Sequence, residues 1–223
     1  MLKKSKGIGH FLGQCLGRGL LKKPAQPSIS QTPSKTGQYL LESRIASGEP
    51  IKLELGAGDK KDIPGWLTTD QYPGADFVMD LLKPFPVPDN TVSMIYSSHV
   101  LEHFYTDQME FVLSECRRIL KPDGVISVCV PDSRIYLAAY LNPGSFDAEK
   151  YCTYKLGYRF YSRIDYLNYQ AYMGGNHRHM FDLDNLLAIL EGNGFRNVRE
   201  RAFDPELDRA ARDYESIYAE AEK

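Results

Sequence analysis

Ile51-Lys-Leu-Glu-Leu-Gly-Ala-Gly-Asp59 is followed by Trp66-Leu-Thr-Thr-Asp70, Phe77-Val-Met-Asp80 and Ser97-Ser-His-Val-Leu-Glu-His103, an ordered series of short runs each closed by glycine or a polar residue. Ile51, Leu53 and Leu55 form an apolar strand. The glycines at 56 and 58 allow the chain to turn sharply and to approach a ligand at the strand's carboxyl end, where open α/β sheets bind theirs. Asp70 closes the second run, and a carboxylate there can accept hydrogen bonds from both hydroxyls of a ribose. Asp80 closes the third. Gly-x-Gly after a strand also occurs in ordinary tight turns, so the first run alone supports either reading; the series carries the argument.

Strands and helices keep alternating downstream, as a doubly wound sheet requires. Val92 to Tyr96 reads as a fourth strand. Thr106 is the expected N-cap of a helix with Met109, Val112, Leu113, Cys116, Ile119 and Leu120 on one face, ended by Lys121-Pro-Asp-Gly124. Val125 to Val130 is almost wholly apolar and suits a strand covered on both faces. Asp182 or Asp184 starts a further helix that stops at Gly192-Asn-Gly194, and Phe195 to Phe203 and Tyr214 to Ala221 read as the last two strands. Residues 131–181 form an insertion holding nine of the fifteen tyrosines. Within it Tyr151, Tyr154, Tyr158 and Tyr161 are spaced three and four apart, which predicts one face of a helix. That face either packs on the sheet or walls an acceptor pocket.

The motifs Leu53 to Gly58, Pro64-Gly-Trp66, Asp70, Asp80-Leu81, Pro88-Asp-Asn90 and Ser98 to His103 resemble those of the class I S-adenosylmethionine-dependent methyltransferases, in the type 11 branch. The resemblance runs from about residue 50 to the C-terminus. It implies an α/β, doubly wound, seven-stranded, mostly parallel Rossmann-like sheet, with the tyrosine-rich insertion after strand five and the last two strands as a reversed edge hairpin. It also implies S-adenosyl-L-methionine as cofactor. Glu54, Gly56 and Gly58 would surround its methionine part, Asp70 its ribose, and Asp80 and Leu81 its adenine, with Ala57, Gln71 and Ser97 also in the cofactor site. The chain departs from the pattern in two places. Lys60 stands where a third glycine would, and twelve residues separate Gly58 from Asp70 against roughly 20 in a full Rossmann unit, so the first helix is very short or replaced by a loop.

The 223 residues, 43% hydrophobic and 25% charged, suit one enzyme domain with an extension. The net charge of −2 conceals an asymmetry. Residues 1–41 hold seven basic residues and no acid, leaving 20 basic against 29 acidic residues in the body, 42–223. In this tail Ile8, Phe11, Leu12, Cys15, Leu16 and Leu20 recur at helical spacing among lysines and glycines, either a basic amphipathic segment for an anionic membrane or a flexible tail. Residues 24–37 read as a linker. No stretch approaches the roughly 18 apolar residues of a membrane span. Cysteines 15, 116, 129 and 152 form no close pair, which predicts reduced thiols and favours the cytoplasm, with peripheral membrane contact through the tail as the alternative. The acidic body disfavours nucleic acid.

His99 and His103 are four apart with Glu102 between them. The zinc-protease pattern places Glu directly after the first His, so no metal site is expected. By resemblance and position His99 faces the reaction centre and His103 is structural. His177 and His179, in Gly174-Gly-Asn-His-Arg-His-Met-Phe-Asp182, alternate on an extended, glycine-flanked loop that could close over the site, or simply cap it. His99, His177 and His179 are thus the catalytic candidates. The expected acceptor is a small molecule or glycan, methylated at oxygen, because histidine suits removal of a hydroxyl proton near neutral pH. Aminopropyl transfer on the same fold and a non-catalytic cofactor-binding partner or sensor subunit are the alternatives.

Overall fold

The structure is a computed structural model and describes residues 35–58 and 63–223. The amphipathic tail segment, Cys15, Asp59 and Lys60 lie outside the described residues. A helix α1 (Lys35–Ser47) precedes the first strand. It runs through residue 41, because Leu41 is buried in the main core, and its first turn takes up residues 35–37 of the expected linker.

Strands β1 (Lys52–Leu55), β2 (Leu67–Asp70), β3 (Phe77–Val78), β4 (Val92–Ser98), β5 (Leu120–Pro131), β6 (Arg196–Glu200) and β7 (Ser216–Glu222) form one sheet of order β3-β2-β1-β4-β5-β7-β6. The first five are parallel, and β7 runs antiparallel to both β5 and β6. The seven-stranded doubly wound sheet and its reversed edge hairpin are as expected. The order turns back between β1 and β4, where Leu55 pairs with Thr69 on one side and Ser97 on the other. The carboxyl ends of β1, β2 and β4 therefore open onto one crevice at a topological switch point.

Helix α2 (Thr106–Ile119) buries Met109, Val112, Leu113, Cys116 and Ile119 against the sheet, and α6 (Leu183–Gly192), capped by Asp182, adds Leu186 and Leu190. Thr106 is the first helical residue, not the cap. Tyr105 holds that place, its N–H donating to Gln108 Oε1 at 3.1 Å. The helix also stops before Lys121-Pro-Asp-Gly124, since Leu120 is already extended and pairs with Val92. β3 ends two residues short of Asp80, whose carboxylate accepts from Leu82 N–H and turns the chain. Cys116, Cys129 and Cys152 are free and buried.

The insertion has its own small core. Helices α3 (Ser133–Leu141), α4 (Ala148–Tyr151) and α5 (Ile164–Tyr172) gather Tyr136, Ala139, Cys152, Tyr166 and Tyr169, with Phe146 against Tyr166 at a ring separation of 4.6 Å. The tyrosines at 151, 154, 158 and 161 do not share a helix face. The helix capped by Asp147 ends at Tyr151, Tyr154 N–H donates to Tyr169 Oη at 3.1 Å, and Tyr161 N–H donates to Asp165. Tertiary bonds from α5 take the backbone donors that a continuous helix would have used. Tyr154 and Tyr161 are exposed. Among the described residues no helix is long and apolar enough to cross a membrane.

Candidate functional site

The β1 turn is built around a glycine that any side chain would strain. Gly56 has φ +64, and a Cβ there would overlap Val100 Cγ2. The turn is then locked to β2. Ala57 N–H donates to Thr69 O at 3.0 Å and Gly58 N–H to Asp70 Oδ2 at 2.8 Å, while Tyr72 N–H donates to Asp70 Oδ1 at 3.0 Å. A carboxylate has about four lone-pair sites, so Asp70 keeps capacity for two ribose hydroxyls after holding both turns. Gln71 is exposed beside it; Asp80 and Leu81 are half-buried at the next turn. Glu54 is buried on β1, 3.6 Å from Arg209. Ser97 Oγ is buried at the end of β4 with no hydrogen-bond partner among the described residues. The nine expected cofactor residues thus sit at the carboxyl ends of β1, β2 and β4 and the turn after β3. An orphaned hydroxyl, a partly committed carboxylate and a turn with no room for a side chain fit a nucleoside bearing a small charged tail.

The candidate catalytic histidines do not form one group. His99 follows β4 with φ 54, a conformation uncommon for a residue with a side chain and found where surrounding structure enforces it. Its Nε2 lies 2.8 Å from Ser216 Oγ and its Nδ1 3.7 Å from Glu102 Oε1. Burial, with help from Arg212, holds its pKa well below the ordinary histidine value. His177 is 4% exposed, its Nδ1 2.8 Å from the Gln170 carbonyl and its ring 5.2 Å from that of His103. Burial pushes its pKa down to about 4. His179 lies apart, its Nε2 2.9 Å from Asn185 Oδ1 at the start of α6 and its ring against Phe181. The loop that carries the last two is fastened, since Arg178 and His179 N–H both donate to Glu102 O, at 2.8 and 3.2 Å.

Sequence reasoning missed what the C-terminal segment brings. A single turn α7 (Ala210–Asp213) and its flanks deliver Arg209, Arg212, Glu215 and Ser216 to this end of the sheet. Arg209 reaches the Ala57 carbonyl at 3.2 Å from 152 residues away. No local signal marks these residues. It also missed Glu102 as a group in its own right. This side chain is 1% exposed, Oε2 has no hydrogen-bond partner among the described residues, and burial pushes its pKa up to about 8.

Residues 65–128 match the family described as "Methyltransferase domain". A probable S-adenosylmethionine-dependent methyltransferase of Mycolicibacterium smegmatis is 40% identical over 62 residues, 28% of this chain and 23% of that protein. Another from Mycobacterium tuberculosis is 34% identical over 62 residues, 28% of this chain and 22% of that one. The matched stretch thus spans less than a quarter of either curated relative. Among solved structures, the S-adenosylmethionine-dependent methyltransferase SibL in its apo form superposes with a TM-score of 0.50 at 13% identity, over 84% of this chain and 54% of that one. The fold is that of the class I methyltransferases, and residues 65–128 are similar in sequence to a methyltransferase domain.

Proposed function

We propose, from this fold and this crevice, that the chain binds S-adenosyl-L-methionine and transfers its methyl group to an oxygen of a small-molecule or glycan acceptor. The observation that carries the reading is the meeting of the Gly56 to Gly58 turn, Asp70 and Ser97 at the ends of adjacent strands. Glu54 and Arg209 lie at the end suited to a zwitterionic amino-acid tail, Asp70 with Gln71 at the ribose, and Asp80 with Leu81 at the base. When bound, the cofactor supplies an electrophilic methyl on a sulfonium. What remains for the protein is alignment of the acceptor at near-attack distance, worth up to roughly 7–11 kcal/mol, and removal of one proton.

His99 takes that proton in this reading, at Nδ1 since Nε2 is engaged by Ser216, because it alone of the three candidate histidines follows a strand that lines the cofactor crevice. His177 and His179 position the loop that carries them, each ring being tied to a fixed partner, the Gln170 carbonyl and Asn185. In this reading the transferase unit is residues 42–223 together with the start of α1, whose Leu41 lies in its core. Its acidic balance favours an uncharged or cationic acceptor over nucleic acid, and its buried free thiols suit the cytoplasm. The basic residues 1–41 are the part suited to anionic lipid.

Calorimetric titration of S-adenosylmethionine and S-adenosylhomocysteine into wild-type protein and Asp70→Ala tests the cofactor site. Binding by wild type, weakened in the variant, supports it and warrants an acceptor screen; no binding by wild type sinks it. With an acceptor in hand, His99→Ala with cofactor affinity retained and turnover lost supports the proton role. Full turnover removes it.

A further inference from the structure

A second constellation lies beside the crevice, and its chemistry is different. One ligand atom from each of Glu102, His103 and His177 lies within 4.8 Å of the other two. Their protonation can be worked out from their partners. A backbone carbonyl only accepts, so His103 Nδ1, 3.1 Å from Asn176 O, and His177 Nδ1, 2.8 Å from Gln170 O, each carry the hydrogen. In the neutral rings both Nε2 atoms then carry lone pairs. The same holds for His99: Ser216 donates its own hydroxyl hydrogen to Arg212 O, so it accepts from His99 Nε2–H, and the lone pair of His99 Nδ1 faces Glu102.

Glu102 is thus buried with imidazole lone pairs turned toward it, its own backbone N–H and the charge of Arg212 being what favours its ionised form. Its Oε1 lies 3.7 Å from His99 Nδ1 and 4.0 Å from His103 Nε2, and Oε2 meets no donor among the described residues. Burying a carboxylate with one oxygen undonated is unfavourable. A proton on Glu102 would serve one of these acceptors; a divalent ion serves carboxylate and imidazoles together.

We propose that Glu102, His103 and His177 are the ligands of a divalent transition-metal ion, zinc being the first choice. Two neutral imidazoles and one carboxylate are a known zinc donor set, leaving a fourth position for water. Each imidazole already has the outer partner such ligands use, its second ring nitrogen donating to a carbonyl. Glu102 and His177 are buried, whereas the His103 side chain is 43% exposed, so entry and the water position lie on its side. The ion would fasten the loop at 173–179 to the turn after β4, alongside the two backbone bonds to Glu102 O. It would thereby pin the insertion against the sheet. This inference is independent of the methyl-transfer reading.

The test is zinc titration of chelator-stripped full-length protein, with Co²⁺ absorption as the spectroscopic probe. Wild type is expected to bind one equivalent, give tetrahedral cobalt bands, and gain resistance to proteolysis at 173–179. Glu102→Gln and His103→Gln are expected to bind at least the roughly hundredfold more weakly that changes to outer partners alone can reach. His103→Gln changes an exposed side chain, and circular dichroism verifies the fold of both variants. No zinc binding by wild type, or equal binding by both folded variants, overturns the proposal. S-adenosylhomocysteine titrated into the same samples separates the two readings: cofactor binding without zinc removes only this inference, and zinc binding without cofactor removes only the other.

Discussion

Three buried carboxylates in three regions show how the same chemical group is put to different uses. Glu115, on α2 beneath the sheet, is fully answered: Arg118 lies 2.7 Å away, and Phe85 N–H donates to it at 2.6 Å. Asp70, at the crevice, is half answered by the backbone of two turns and keeps lone pairs for a ligand. Glu102, between the β4 turn and the insertion loop, faces lone pairs. The first is architecture, because its partners complete it. The other two keep unused hydrogen-bonding capacity among the described residues, and such capacity in a buried group calls for an explanation.

The largest effect expected from breaking this contrast is at the crevice's scaffold. Gly56→Ala forces a side chain into a left-handed turn and against Val100, at a cost of about 2–5 kcal/mol, read as a lowered denaturant midpoint; a loss below about 0.5 kcal/mol would show that the turn relaxes freely. Asp70→Ala comes next. It is expected to weaken cofactor binding by about 2–3 kcal/mol through lost charge-assisted bonds, with calorimetry as the measurement, whereas Glu115→Gln should leave cofactor affinity unchanged.

Glu115 sharpens the comparison through pH. Its bond to Arg118 holds its pKa below the ordinary carboxylate value. The stability it contributes is complete above that ordinary value and is lost as pH falls through the depressed one. Acid unfolding curves of wild type and Glu115→Gln should therefore converge at low pH and separate as pH rises; parallel curves would show that the pair does not act this way. In the insertion, Tyr136→Phe removes the hydroxyl that donates to Tyr151 O at 2.9 Å and is expected to cost about 1 kcal/mol. The loss should appear as faster hydrogen exchange at 133–172 with cofactor affinity intact. His179→Ala is the smallest, within about 0.5 kcal/mol by thermal denaturation, since its bond to Asn185 lies at the surface.

The crevice was legible because its residues are local. Gly56, Gly58 and Asp70 stand at strand ends that alternation of apolar residues already marks, and one turn's backbone geometry dictates each residue type. The insertion was misread at 151–161 for the opposite reason. Its tyrosine spacing matches a helix, but the backbone donors there are claimed by Tyr169 and Asp165 on α5, partners that a local pattern does not contain.

From the residues alone came the alternation of strands and helices and the glycine turn and Asp70 at strand ends, since each follows from short-range sterics and hydrophobic period; the rest of the expected cofactor set rested on the family resemblance. It took the packed fold to bring Arg209 to Ala57, Ser216 to the ring of His99 and His177 to His103 rather than His179, and to bury Glu102 with no hydrogen-bond partner for Oε2 among the described residues. Those relations join residues far apart in the chain, and they exist because packing chooses which side chains share a low-dielectric space.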